Sequence, residues 1–197
     1  SDCEGNPFVN GFPNPVADGL DVCNVWNNTI ELNPFDCQPE PQLGIGDIAH
    51  GGIVFYVDET GFHGLVAAME DIGDFEWGCF ETEISGADGQ FIGTGYQNTL
   101  DIVSGCSQTP IAASEALAYE SGGYDDWYLP SKDELLEMYN TIGNGGSDGN
   151  IGGFENNRYW SSSEGNSYSA WIVNFNSGIT GFNNKFNTVR VRVIRAF

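Results

Sequence analysis

Two apolar runs on either side of a polar turn give the clearest pattern in the chain. Gly52–Val57 (GIVFYV) and Gly64–Met69 (GLVAAM) flank DETGFH, which predicts a β-hairpin. A Gly-rich, aromatic-bearing stretch follows, DFEWGCFETEISGADGQFIGTGYQNT, to which no helix or strand is assigned. Thr109 and Pro110 then open a predicted helix running to about Tyr119, with Thr109 as N-cap and Pro110 in the first turn. A second helix starts at Ser131, where Ser131 and Glu134 have capping-box spacing and Leu135, Leu136 and Met138 supply an apolar side. After a Gly/Asn loop at 142–153, RYWSSS, AWIVNFN and VRVRVIRAF read as three strands. Two short helices within a mostly β chain predict an α+β domain over 44–197.

Residues 1–43 differ from this main domain. They hold three of the five cysteines and six of the eight prolines, and the prolines oppose long helices and central strands. The expectation is a disulfide-pinned N-terminal extension, a connector through which the chain could self-assemble. Cys3, Cys23, Cys37, Cys79 and Cys106 form no CxxC pair, so zinc and redox sites are disfavoured and an oxidising compartment is favoured. Five is odd, so one cysteine must be free, intermolecular or paired elsewhere. Within the main domain the expected disulfide is Cys79–Cys106, although sequence does not settle connectivity.

Charge narrows the partners. There are 28 acidic residues against 6 basic ones, net −22 at pH 7, and no base precedes Lys132. Phosphate neutralisation drives nucleic-acid binding, so DNA and RNA are excluded as expected partners; anionic membranes and sulfated polysaccharides are disfavoured likewise. No run approaches the roughly 20 apolar residues of a membrane span, so no membrane insertion is expected. His50 and His63, the only histidines, form no zinc-binding pair, and no nucleophile elbow or phosphate loop appears. Asp125 and Asp126 read as solvated residues leading into a helix, and Arg190, Arg192 and Arg195 as partners for the excess carboxylates. Asp18, Asp21, Asp88, Asp148, Asn150 and Glu155 could ligate a structural calcium, but none matches an EF-hand. The chain is therefore expected not to be an enzyme and to need no cofactor beyond that calcium.

GGIVFYVDETGFHGLVAA, DDWYLPSKDELLEMY, RYWSSSE, AWIVNF and VRVIRAF together resemble the C-terminal domain of bacterial collagen-like adhesins over about residues 44–197. That family is similar to C-type lectins and to the formylglycine-generating enzyme fold. The resemblance implies a scaffold of two helices, twisted antiparallel sheets and long ligand-binding loops. The enzyme's C-terminal cysteine pair has no counterpart, since no cysteine follows Cys106.

Residues 159–197 also resemble the variable region of diversity-generating retroelement target proteins, in which adenines of AAC codons are randomised on a fixed scaffold. The resemblance implies a frame of Trp160, Ser161, Ser162, Ala170, Trp171, Val173, Phe175, Gly178, Lys185 and the final strand, with Trp160, Trp171, Val189, Val191 and Val193 bracing the surface from beneath. The exposed, variable contacts would be Gly165, Ser167, Tyr168, Ser169, Ile172, Ser177, Ile179, Thr180, Phe182, Asn183, Asn184, Phe186 and Thr188. These, together with Gly181 and the other asparagines at 166, 174, 176 and 187, are all reachable from AAC by changing its first two bases. Tyr, Ser, Gly and Asn are the residues paratopes favour. The expected function is an extracellular, cell-surface or virion-surface module binding a protein or glycan on another cell or host. The alternative is a structural subunit of an extracellular filament decorated by a lectin-like domain.

Overall fold

A computed structural model describes residues 8–9, 12–13 and 42–197. The chain divides into two compact units, Ser1–Pro41 and Gln42–Phe197. In the first, β1 (Phe8–Val9) pairs antiparallel with β2 (Phe12–Pro13). The expected pairing of Cys3, Cys23 and Cys37 and the calcium ligands Asp18 and Asp21 lie outside the described residues.

The second unit is α+β, with two sheets and three helices. β3 (Ile48–Ala49), β4 (Gly52–Val57) and β5 (Gly64–Ala67) form a sheet with β11 (Ile194–Ala196), in the order β11-β5-β4-β3. The predicted hairpin is β4–β5. The other sheet runs β6-β10-β7-β8-β9 and contains β6 (Gly73–Glu76), β7 (Arg158–Asn166), β8 (Ser169–Asn174), β9 (Thr180–Asn184) and β10 (Thr188–Val191). All its pairings are antiparallel except β10 with β7. The terminal apolar alternation is thus not one strand. It breaks after Val191 and resumes at Ile194 in the other sheet, so a single stretch of chain binds both sheets together.

Three helices join them: α1 (Gly95–Gly105), α2 (Ala112–Leu117) and α3 (Lys132–Thr141). α3 begins as the sequence predicts. Ser131 Oγ accepts the Glu134 N–H (3.3 Å) and a Glu134 carboxylate oxygen accepts the Ser131 N–H (2.6 Å), so two otherwise unpaired N-terminal donors are satisfied. α2 is shorter than expected and is not capped by Thr109. Ile111 is its N-cap, and Ser114 Oγ accepts the Ile111 N–H at 3.0 Å. α1 has no counterpart in the sequence reading. It opens on a glycine because Gly95 lies against α3, where a Cβ would collide with the Glu134 carboxylate.

Two apolar clusters form the core. Trp77, Trp127, Trp160, Ile102, Ile172 and the alternating Val189, Val191 and Val193 meet in one; Phe55, Leu135, Met138, Tyr159, Val173 and Phe175 meet in the other. Burying each large side chain contributes about 1.5–3 kcal/mol. The Cys79–Cys106 disulfide ties the segment after β6 to the end of α1. Among the described residues, no helix is long and apolar enough to cross a membrane.

Candidate functional site

The ribbon β7–β8–β9 and its turns carry most of the residues singled out by sequence. On a strand, successive side chains point to opposite faces, and cross-strand partners share a face. Trp171 pairs with Phe182, and Ala170 with Asn183. The ribbon therefore presents Phe182 on one side and Asn183 on the other.

Its support is buried and polar as well as apolar. Trp160, Ser161, Ser162, Ala170, Val173, Phe175 and Lys185 are all fully enclosed. Ser161 Oγ donates to the Trp171 carbonyl (2.9 Å), and Ser163 Oγ donates to the Gly89 carbonyl (2.6 Å). Asn98 Nδ2 donates to Ser162 Oγ at 3.2 Å. The serine run thus takes over where β7 loses register with β8, and it anchors both the 84–90 loop and α1. Lys185 is ion-paired with Glu164, donates to the Thr82 carbonyl (2.7 Å) and lies 4.5 Å over the Trp77 ring. Glu164 also accepts the Ile84 N–H at 3.0 Å. A buried charge this fully partnered fixes the turn that follows β9. Glu134 accepts the Gly93 N–H as well (2.8 Å) and so clamps the 91–95 loop to α3. Burial raises its carboxyl above the ordinary range, and those donated hydrogen bonds oppose the shift.

On this frame stand two aromatic groups flanking the β7–β8 hairpin tip. Tyr168 and Phe186, 53% and 49% exposed, both meet Phe80 edge-on, with ring centroids 5.5 and 4.8 Å away. Phe182, 55% exposed, packs at a 41° tilt with its ring centroid 4.0 Å from that of Trp171 and covers Gly165, while Lys132 lies 5.0 Å above Trp171. Trp171 is therefore part of the half-exposed surface rather than a brace beneath it. Gly165, Ser177, Ile179, Asn184 and Thr188 are exposed; Ser167, Thr180 and Asn183 are half-buried.

Two of the expected contacts are enclosed. Ile172 faces the core beside Trp160 and Val189, because it sits one residue out of phase with Trp171. Ser169 is held inside the hairpin turn, where its N–H and that of Tyr168 donate to Asn166 Oδ1. Phe80 and Lys132 join the surface without having been singled out. Phe80 follows a disulfide cysteine, and Lys132 belongs to a capping segment, so each carried a structural signal that masked its exposure.

On the Asn183 side lies a polar cleft of about 550 Å³. It is lined mainly by asparagines 156, 157, 174, 176, 183 and 187, together with Asp74, Arg158, Thr188, Val189 and Arg190. The arginines of the C-terminal segment are paired as expected. Arg192 binds Asp71 (2.6 Å), Arg195 holds Asp126 through two contacts (2.6 and 2.8 Å), and Arg190 is shared by Asp71, Asp74 and Glu155. Asp126 is thus an ion-pair partner rather than a merely solvated residue. Its hydrogen bond to Arg195 holds its carboxyl below the usual range. His50 follows β3 and stacks on Phe197 at 4.5 Å. Of the suggested calcium ligands, Asn150 is occupied by both backbone polar groups of Phe154, and Glu155 by Arg190. Among the described residues, no group of three His, Cys, Asp or Glu side chains converges as a metal site would require.

No curated protein sequence matches the chain significantly. A crystal structure of a fimbrial protein from Bacteroides ovatus is similar at a TM-score of 0.48 and 18% identity, over 79% of this chain and 45% of that one. The chain spans less than half the length of that protein. Residues 77–195 match the model of the Lcl C-terminal domain. That match takes in α1 to α3, the serine-anchored β7, both aromatic groups and most of β11, and the chain belongs to the Lcl C-terminal domain family.

Proposed function

We propose that this protein is a non-catalytic, extracellular adhesin-type module. It contacts a protein or glycan on another cell or host through the turns and exposed edge of the β7–β8–β9 ribbon, on a C-type-lectin-like scaffold. The observation that carries the reading is the alternation along 159–188. Enclosed frame residues such as Trp160, Val173, Phe175 and Lys185 are interleaved with outward Tyr168, Ile179, Phe182 and Phe186. Large apolar side chains held in water by a rigid, highly acidic domain favour association, and aromatic anchors typically dominate contact energies. The disulfide suits an oxidising, extracellular setting. The same alternation would let surface positions change without disturbing the fold, as a diversified binding protein requires. Related copies would then differ at the exposed positions and agree at Ile172 and Ser169.

Beads coated with the intact chain should adhere to some members of a panel of bacterial and host cells. Replacing Tyr168, Phe182 and Phe186 together by serine should lower that adhesion at least about tenfold while the melting temperature stays within a few degrees. Undiminished adhesion by the folded triple variant would remove the assignment.

A further inference from the structure

The amide-lined cleft has a donor pattern that its composition alone does not reveal. Asn157 Oδ1 accepts the Arg158 N–H (2.8 Å), Asn174 Oδ1 the Asn176 N–H (2.9 Å) and Asn183 Oδ1 the Asn184 N–H (3.0 Å). A backbone N–H can only donate, so the carbonyl side of each carboxamide must face it, and the orientation of all three is chemically determined. Each is left with an Nδ2 group that makes no hydrogen bond to the described residues. The cleft therefore offers donors in excess, and its complement is a ligand rich in acceptors.

Arg158 adds a charge to the same place. Of the six bases, Lys132, Lys185, Arg190, Arg192 and Arg195 each have a carboxylate within ion-pair distance; Arg158 has none among the described residues. In a chain of net charge −22 this exposed guanidinium is the one cation left uncommitted there. A planar guanidinium suits a carboxylate, which it can engage through two parallel hydrogen bonds. One such group matches a single negative charge. A polyanion would meet the Asp74 carboxylate in the cleft lining and the repulsion of the whole molecule. Acceptors for hydroxyl protons are present too. Asn187 donates its Nδ2 to Asn183 Oδ1 and so keeps its own carbonyl oxygen free, and the Thr188 hydroxyl lies alongside.

We infer that the cleft binds a sugar residue bearing one carboxylate, held by Arg158 and by the Nδ2 groups of Asn157, Asn174 and Asn183, without a bridging metal. The inference rests on reading the β7–β8–β9 ribbon as contact surface and adds the chemical class of a ligand. The probes are N-acetylneuraminic acid and glucuronic acid, each beside its methyl ester, titrated calorimetrically into the full chain in the presence of a chelator.

Each acid should bind at least about tenfold more tightly than its ester, and a glycoprotein ending in the preferred acid should compete with it. Arg158→Ala should abolish the preference. So should Asn174→Asp, which keeps the acceptor for the Asn176 N–H and replaces the donor by a repelling oxygen. Equal binding of acid and ester, no binding of either, or affinity indifferent to both substitutions overturns the inference. If cell adhesion still depends on Tyr168, Phe182 and Phe186 but ignores Arg158→Ala, the contact ribbon stands and the acidic-sugar site falls.

Discussion

Lys185 shows how much a single side chain can decide in this protein. It is one of only six bases, yet it is spent entirely inside, between Glu164, the Thr82 carbonyl and the face of Trp77. Removing one partner of such a pair leaves the other charge buried and uncompensated, at a cost of about 3–5 kcal/mol. Lys185→Ala should therefore lower the unfolding free energy by that amount in urea denaturation, while Lys132→Ala on the half-exposed surface should cost less than about 1 kcal/mol. The sequence placed Lys185 in a fixed frame but gave no sign that its charge is enclosed. The enclosure of Ile172 and Ser169 was not legible either. β8 has core on both faces, so its burial does not alternate, and codon accessibility alone cannot distinguish an inward from an outward position.

Among the secondary-structure elements, local chemistry announced some and concealed others. The β4–β5 hairpin and the capped start of α3 were readable because apolar runs, a turn and a Ser/Glu pair all point the same way. α1 was invisible because GYQNTLDIVSG begins with glycine and buries Asn98 and Thr99, whose partners lie far away in sequence. β9 was missed because TGFNN has little apolar content and gains its place by pairing with β8. The loop between Cys79 and Cys106 contains all of α1, so its disulfide has a definite weight. Closing a 27-residue separation stabilises by about 3–4 kcal/mol on the chain-entropy view. The double variant Cys79→Ser/Cys106→Ser should show a loss of that size in urea. It should also weaken cell adhesion, since Phe80 adjoins the bridge and contacts both Tyr168 and Phe186.

For the molecule as a whole, the excess of acidic residues acts at long range. Five of the six bases are committed to ion pairs, leaving many carboxylates facing solvent and one another. Self-repulsion of this kind is screened over about 10 Å at 0.1 M salt, and further at higher concentration. The melting temperature should thus rise by several degrees between about 10 mM and about 0.5 M sodium chloride. A flat or falling profile in calorimetry would mean that the acidic surface is not under electrostatic stress. The net charge was fully legible in the sequence. The division of its few cations between interior anchors and one open guanidinium required the fold, because adjacent positions such as Asn184, Lys185 and Phe186 have opposite fates.

The passage from β10 to β11 has a consequence for biosynthesis. β10 lies between β6 and β7 in one sheet, and β11 completes the other beside β5 while Ile194 bridges to Tyr128. Neither sheet has its full complement of strands until residues 188–196 have left the ribosome. These two sheets must wait with open edges on the nascent chain, and acquire their final form only after synthesis has passed that point.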